Sequence, residues 1–212
     1  SATTLTPEQQ PSPVPTETTV TPEPIRVALR LVNYAALVLL GGLLFVEYYL
    51  AKGSVATFAA RRIVRASTVA LALAPLASFF IFMNDVRNTG ESFSSAFSTA
   101  ISLTPGLMLA ARAGIGVLLA GFLHSALQQG EMTKPFLHRI GALFTISCVA
   151  LAYGGHSRSQ AVPILGIPAD VLHVFGISLW LGGLAALLLV VIPAVNTEQS
   201  LEAFTRFGRV AQ

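Results

Sequence analysis

Long apolar segments and short polar connections alternate along this chain. Five apolar segments of about 19 to 24 residues can be distinguished. An α-helix needs about 20 apolar residues to cross the roughly 30 Å hydrocarbon core of a bilayer. The pattern therefore predicts five transmembrane helices, over residues 27–50, 63–83, 105–128, 135–153 and 169–192. The pairs Gly41-Gly42 and Gly182-Gly183 predict close contacts between helix backbones, because glycine has no side chain to keep them apart.

The first 24 residues have a different composition. They are rich in Pro, Thr, Glu and Gln and contain no aromatic residue. Such a segment cannot bury a hydrophobic core, and it lacks the basic start and apolar run of a signal peptide. We predict a disordered extracytoplasmic linker over residues 1–24, which implies a domain before it, and a transmembrane domain over residues 25–212. Because the last residues resemble the approach to a sixth helix, we expect this domain to continue beyond Gln212.

The overall composition agrees with a membrane protein. The chain is 53% hydrophobic and only 11% charged, with a mean hydropathy of +0.69, whereas soluble domains carry about 25% charged residues. Its basic residues lie mostly between the apolar segments, so they do not indicate a nucleic-acid partner. The single cysteine, Cys148, excludes an internal disulfide and a cysteine cluster for zinc or iron–sulfur. We predict an all-α, multi-pass helix bundle in the cell (inner) membrane.

Basic residues divide unequally between the two ends of the predicted helices. Eight lie at one set of ends: Lys52, Arg61, Arg62, Arg65, Lys134, Arg139, Arg206 and Arg209. Four lie at the other: Arg26, Arg30, Arg87 and Arg158. Cytoplasmic ends carry the excess of Lys and Arg, so we predict an N-terminus outside the cytoplasm, with connections 84–104 and 154–168 on the same side. Glu47, near the cytoplasmic end of the first helix, is expected to reach the aqueous surface.

Two histidines lie at the predicted outer ends of the fourth and fifth segments. His156 follows the fourth segment, and His173 lies about one turn inside the fifth. The connection between them is short and contains Pro163 and Pro168, so the two helices should be neighbours and the imidazoles can converge. Neutral imidazole is the commonest protein ligand for metals. We predict a shared metal site; the alternative is that the histidines hydrogen-bond neighbouring helices.

Two methionines belong to the same predicted side. Met83 ends the second segment, and Met108 lies one turn inside the third. Thioether and imidazole donors together suit Cu(I), whereas carboxylates favour harder ions. Either methionine is therefore a candidate to complete the histidine site, although packing alone also explains a methionine in a membrane helix.

Three further residues are expected to support this site. Asp170 lies three residues before His173, on the same helix face, and can orient the imidazole by accepting its second N–H. Trp180 lies seven residues after His173, and we expect it to form a wall of the cavity. Arg112 lies one turn below Met108, where a cation is costly unless it is paired or hydrated.

These motifs resemble the CopD family of copper-resistance membrane proteins. The resemblance rests on Gly155-His156 and on the spacing of His173, Trp180 and Gly182-Gly183. It implies copper transport or copper resistance, about eight helices, and in some members a fused extracytoplasmic CopC copper-binding domain. A CopC-like domain or carrier is then the expected partner, and a copper ion, with Cu(I) favoured, the expected cargo. We predict no catalytic residues and no enzymatic activity.

Two other functions remain open from the residues alone. Four histidines divided between the two ends, His124 and His138 against His156 and His173, would suit a membrane cytochrome with two bis-histidine haems. However, His138 and His156 are 18 residues apart, about 27 Å along a helix, which leaves both near the surfaces. The third possibility is a structural membrane anchor for an upstream domain.

Overall fold

The computed structural model describes residues 22–50, 54–87, 90–129, 132–154, 163–194 and 197–211. Five helices in these ranges are long and apolar enough to cross a membrane: Glu23–Leu50, Phe58–Val86, Thr104–Gln129, Lys134–Tyr153 and Ile164–Ala194. Each overlaps one predicted segment, so the predicted five-helix bundle is confirmed. The predicted linker lies outside the described residues except at its end, because the first helix begins at Glu23.

We number the helices α1 to α8 along the chain. They are α1 Glu23–Phe45, α2 Phe58–Val86, α3 Phe93–Ser102, α4 Thr104–Gln129, α5 Lys134–Tyr153, α6 Pro163–Ile177, α7 Gly183–Ala186 and α8 Thr197–Ala211. Three π-helical turns interrupt the long helices: Val46–Leu50 after α1, and Ser178–Gly182 and Leu187–Val191 on either side of α7. Short 3₁₀ turns lie at Ser54–Ala56 and Ile192–Ala194. The fifth span is therefore α6 and α7 joined through π-helical turns.

The first and fifth spans make the closest backbone contact described. A side chain at Gly42 would collide with the backbone of Gly182, and one at Gly182 would collide with the Val38 carbonyl. This contact confirms the close approach that the glycine pairs predict. A second such contact joins α2 and α4: Pro75 has no N–H to donate to the Leu71 carbonyl, and Gly116 of α4 faces that same carbonyl.

The connection predicted over residues 84–104 contains a helix that the hydrophobic pattern did not predict. Ser92 caps α3 by accepting a hydrogen bond from the Ser95 N–H. The buried face of α3 is formed by Ala96 and Ala100, which pack with Phe79 and Met83 of α2. This helix was missed because it is short and rich in serine and alanine, so it shows little hydrophobic contrast.

The fifth span begins earlier than predicted. Both Pro163 and Pro168 belong to α6 and not to the preceding connection. Proline is accepted in the first turn of a helix, because its missing N–H has no partner there anyway, while Pro168 lies inside the helix. His173 is consequently ten residues beyond the start of α6, roughly 15 Å along its axis, and not one turn inside the span.

The last helix, α8, is amphipathic. Its buried side includes Ala203 and Phe207, and the Phe207 ring meets Phe45 edge-on at 6.3 Å between centroids. Its exposed side carries the Glu202–Arg206 ion pair. The end of the described chain is thus packed against the bundle through an aromatic contact.

The two ends of the bundle can be told apart by their side-chain contacts. We call the end where α1 begins the N-terminal end. There Arg26 of α1 forms a two-pronged ion pair with Asp85 at the end of α2, with N–O distances of 2.7 and 2.8 Å. At the opposite end, Glu47 is 4% exposed and accepts a hydrogen bond from Ser54. The expectation that Glu47 reaches the aqueous surface is therefore wrong.

Candidate functional site

A cavity lined by charged, polar and apolar residues opens among five helices at the N-terminal end. Its volume is about 570 Å³, within the range of roughly 300–1,000 Å³ found for small-molecule sites. Residues of α1, α2, α4 and α6 line it, together with the end of α5 at Gly154. The lining residues with polar or sulfur atoms in their side chains are Arg26, Arg30, Asn33, Tyr34, Ser78, Met108, Arg112 and Asp170. We refer to this site as the arginine cavity.

The charges of the arginine cavity are unevenly paired. Arg26 is neutralised by Asp85, and Asp170 has a partner of its own. By contrast, Arg30 and Arg112 form no ion pair or hydrogen bond with any residue that the structure describes. Arg30 is exposed, and Arg112 is half-buried on α4. Two guanidiniums without a described partner at one cavity of a membrane-spanning bundle are costly, so they indicate a functional site.

Asn33 adds an unsatisfied buried group to the same wall. Its side chain is only 4% exposed, and its Oδ1 has no hydrogen-bond partner within the described ranges. A buried acceptor without a partner costs about 1–3 kcal/mol. Sequence reasoning did not identify Asn33, and it counted Arg26 and Arg30 only as topology signals. The available signal was their spacing: Arg26, Arg30 and Asn33 recur every three to four residues on one face of α1.

The two candidate methionines occupy different environments. Met108 lines the arginine cavity, one turn from Arg112, as predicted. The backbone of Gly154 lies against Met108: a Cβ at position 154 would be 3.0 Å from the Met108 Cβ. Met83 is instead 7% exposed and packs in the cluster of α2 and α3. Of the two methionines, Met108 alone is among the described residues that line the cavity.

Of the predicted histidines and tryptophan, the structure describes His173 and Trp180. His156 lies outside the described residues. His173 is exposed and Trp180 is 59% exposed, and neither lines the arginine cavity, whereas Asp170 does. Asp170 and His173 thus share α6 but differ in their relation to the cavity. Whether His156 and His173 converge on one ion stays a prediction.

The described part of the chain holds no group of three or more His, Cys, Asp or Glu side chains close enough to bind a metal ion. His124 and His138 are both exposed at the end opposite the cavity. His138 is 3.2 Å from the hydroxyl of Tyr48. Nothing in this arrangement favours the haem alternative.

Comparisons with known proteins agree with this architecture. Residues 21–164 match the model of the family described as copper resistance protein D-like, N-terminal domain. The copper transport protein CutJ of Bacillus subtilis (strain 168) is 31% identical over 181 residues, which cover 79% of this chain and 32% of that protein. The chain thus spans about a third of the length of this relative. No solved structure shows a significant match.

The five span-like helices make the chain part of a multi-pass membrane protein. The family match covers α1 to α5, including four of the five helices around the arginine cavity. The chain belongs to the copper resistance protein D-like family.

Proposed function

We propose that this chain forms part of a copper transporter in the cell (inner) membrane. In this proposal, copper is taken at an extracytoplasmic site that includes His156 and His173, and it then crosses the membrane. The observation that carries the proposal is the family match over residues 21–164, together with a named copper transport protein among the relatives. A CopC-like domain or carrier on the extracytoplasmic side is the proposed source of the ion.

Met108 is the better of the two methionine candidates for this site. The chain reaches His156 two residues after Gly154, which lies against Met108. Met83 is enclosed by packing between α2 and α3. A thioether with imidazole nitrogens favours Cu(I), which is the oxidation state that we propose.

Arg112 sets a limit on where the ion can rest. It lies one turn deeper than Met108 on the same cavity wall, and like charges in a weakly polar environment repel strongly. We infer that copper is held at the mouth, near Met108, and does not rest beside Arg112. Asp170 of α6, which also lines the cavity, supplies negative charge there and is the proposed acceptor for a histidine N–H.

The test is copper stoichiometry in the purified protein, loaded with Cu(I) under reducing conditions. His156→Ala and His173→Ala should each lose most of the bound copper, and the double variant should lose little more, because both ligands serve one ion. His124→Ala is the matched control, since His124 is an exposed histidine at the opposite end. Copper binding and a cellular copper phenotype that both survive in the double variant would refute the histidine site.

A second comparison tests the choice of methionine. Met108→Leu should weaken Cu(I) binding about tenfold or more while keeping the volume of the side chain. Met83→Leu should leave binding unchanged, because Met83 acts in packing. The reverse result would move the site to the α2–α3 side of the bundle.

A further inference from the structure

The arginine cavity has a feature that copper binding does not explain. The described residues of its lining carry more positive than negative charge, although the proposed cargo is itself a cation. We propose that this cavity binds one oxoanion group that carries a single negative charge, a carboxylate or a phosphodiester, between Arg30 and Arg112. The proposal stands independently of copper binding.

The charge count supports a monoanion. Among the described residues, three guanidiniums line the cavity, those of Arg26, Arg30 and Arg112. Two carboxylates oppose them: Asp85, which is bound to Arg26, and Asp170, which lines the cavity and has its own partner. Among the described residues this leaves one positive charge in excess, which one negative charge would balance. Glu23 is exposed in the first turn of α1 and does not line the cavity.

The chemistry of the donors favours an oxoanion. Arginine presents N–H groups in a planar fork that matches two oxygens of a carboxylate or phosphate. Arg30, which is exposed, comes from α1, and Arg112, which is half-buried, comes from α4, so an anion between them would be approached from two helices. Much of the remaining wall is apolar, including Leu29, Ile81 and Phe82, which strengthens the attraction by excluding water.

Asn33 is a second, independent indication of a ligand. It is nearly fully buried, lines the same wall, and has an Oδ1 without a partner in the described structure. A hydroxyl beside the anionic group would donate to this oxygen. The Asn33 N–H₂ group is available as a further donor to the anion. Hydroxylated anions should therefore bind more tightly than simple ones.

Such an anion has two sources, the headgroup of a membrane lipid or a free hydroxy acid. The test uses the full chain in neutral detergent, without copper, and measures the thermal midpoint of unfolding. The two probes are dihexanoyl phosphatidylglycerol, which carries a phosphodiester and hydroxyls, and lactate, which carries a carboxylate and a hydroxyl. Dihexanoyl phosphatidylcholine and an equal concentration of sodium chloride are the respective controls.

We expect the midpoint to rise by roughly 5–10 °C at a hundredfold excess of ligand over its dissociation constant. A rise with both probes identifies a site for free oxoanions, and a rise with the lipid alone identifies a headgroup site. Arg30→Gln combined with Arg112→Gln should lose most of the rise. Arg65→Gln, an exposed arginine at the opposite end, should keep it.

Arg112→Lys tests the same site if the double variant, Arg30→Gln with Arg112→Gln, fails to fold. It retains the charge but loses the planar fork, so the rise should shrink and not disappear. Either no rise with either probe, or an equal rise in the double variant or with the control compounds, would overturn the proposal. Because no copper is present, these outcomes are independent of the histidine variants.

Discussion

At the N-terminal end, Arg30 and Arg112 face a cavity without a partner in the described chain. At the opposite end, Glu47 is buried and accepts a hydrogen bond from Ser54 at 2.9 Å. Both ends thus hold charged groups within long apolar helices. We infer that Glu47 stabilises the fold, whereas Arg30 and Arg112 are available to a ligand.

The unsatisfied atoms of the two ends differ in kind. Asn33 Oδ1 at the cavity and Arg61 Nε at the opposite end are the two buried side-chain polar atoms without a partner among the described residues. Arg61 has further N–H groups that can find other partners, whereas Asn33 loses one of its two polar atoms. We call the end that holds Glu47 the closed end. Substitutions at the closed end should therefore change stability, and substitutions at the cavity should change ligand binding.

The largest effect on stability should come from the backbone contact between α1 and the fifth span. Gly182→Leu would force a side chain into the Val38 carbonyl, so we expect a loss of more than about 3 kcal/mol and a poor yield of folded protein. Labelling of Cys148, which is fully buried, should accelerate as the bundle loosens. Gly176→Leu is the control in the same span, because a Cβ there meets nothing within 4 Å. Equal behaviour of the two variants would contradict the backbone contact.

A smaller loss is expected at the closed end. Glu47→Ala removes the acceptor of the Ser54 hydroxyl in a buried site and should cost about 1–3 kcal/mol. Glu47→Gln keeps the size of the side chain and an acceptor oxygen, so it should retain more of the stability. Thermal unfolding in detergent measures both. If Glu47→Ala unfolds at the wild-type temperature, the closed end is not held by this group.

At the cavity, the expected change in stability is nil or favourable. Arg112→Leu removes an unpaired cation from a half-buried wall, so its midpoint of unfolding should equal or exceed that of the wild type. The sequence predicts that Arg112 is paired or hydrated, and no described residue forms an ion pair or a hydrogen bond with it. A marked loss of stability in Arg112→Leu would show that the charge at the cavity stabilises the fold, as Glu47 does at the other end.

The smallest effect should come from the ion pair at the rim of the cavity. Arg26 and Asp85 are 23% and 22% exposed, so solvent and salt screen their attraction, and Arg26→Gln should cost only about 0.2–1 kcal/mol. Asp85→Asn should cost a similar amount, and the double variant should cost less than the sum of the two. Additive losses would mean that the two residues act independently.

The sequence predicted the helices well and the site less well. Hydrophobic run length alone located all five spans, because the need to satisfy backbone polar groups in lipid leaves a long apolar segment few alternatives to a helix. The same signal failed for α3, whose alanines become a buried face only through contact with Phe79 and Met83. The sequence pattern also placed Pro163 and Pro168 in a connection, because proline usually ends a helix. The structure shows that α6 begins at Pro163 and contains Pro168.

Residue chemistry shows the same division. Met108, Arg112 and Asp170 were identified from single-helix spacing, and the structure brings all three to one cavity. The sequence did not identify Arg26, Arg30 or Asn33 as cavity residues. A charge at a helix end is equally a topology signal, and an asparagine in a helix is ordinary, until a second helix faces it.

The sequence by itself determined the number of spans, the backbone contact at the glycine pairs and the membership of a copper family. These depend on local composition, on small residues and on short motifs. Only the tertiary structure decided that Met108 lines the cavity while Met83 packs against α3, that Glu47 is buried, and that Arg30 and Arg112 share a cavity with Asn33. The reason is that pairing and burial are properties of the space between helices, and residues far apart in the chain create that space together.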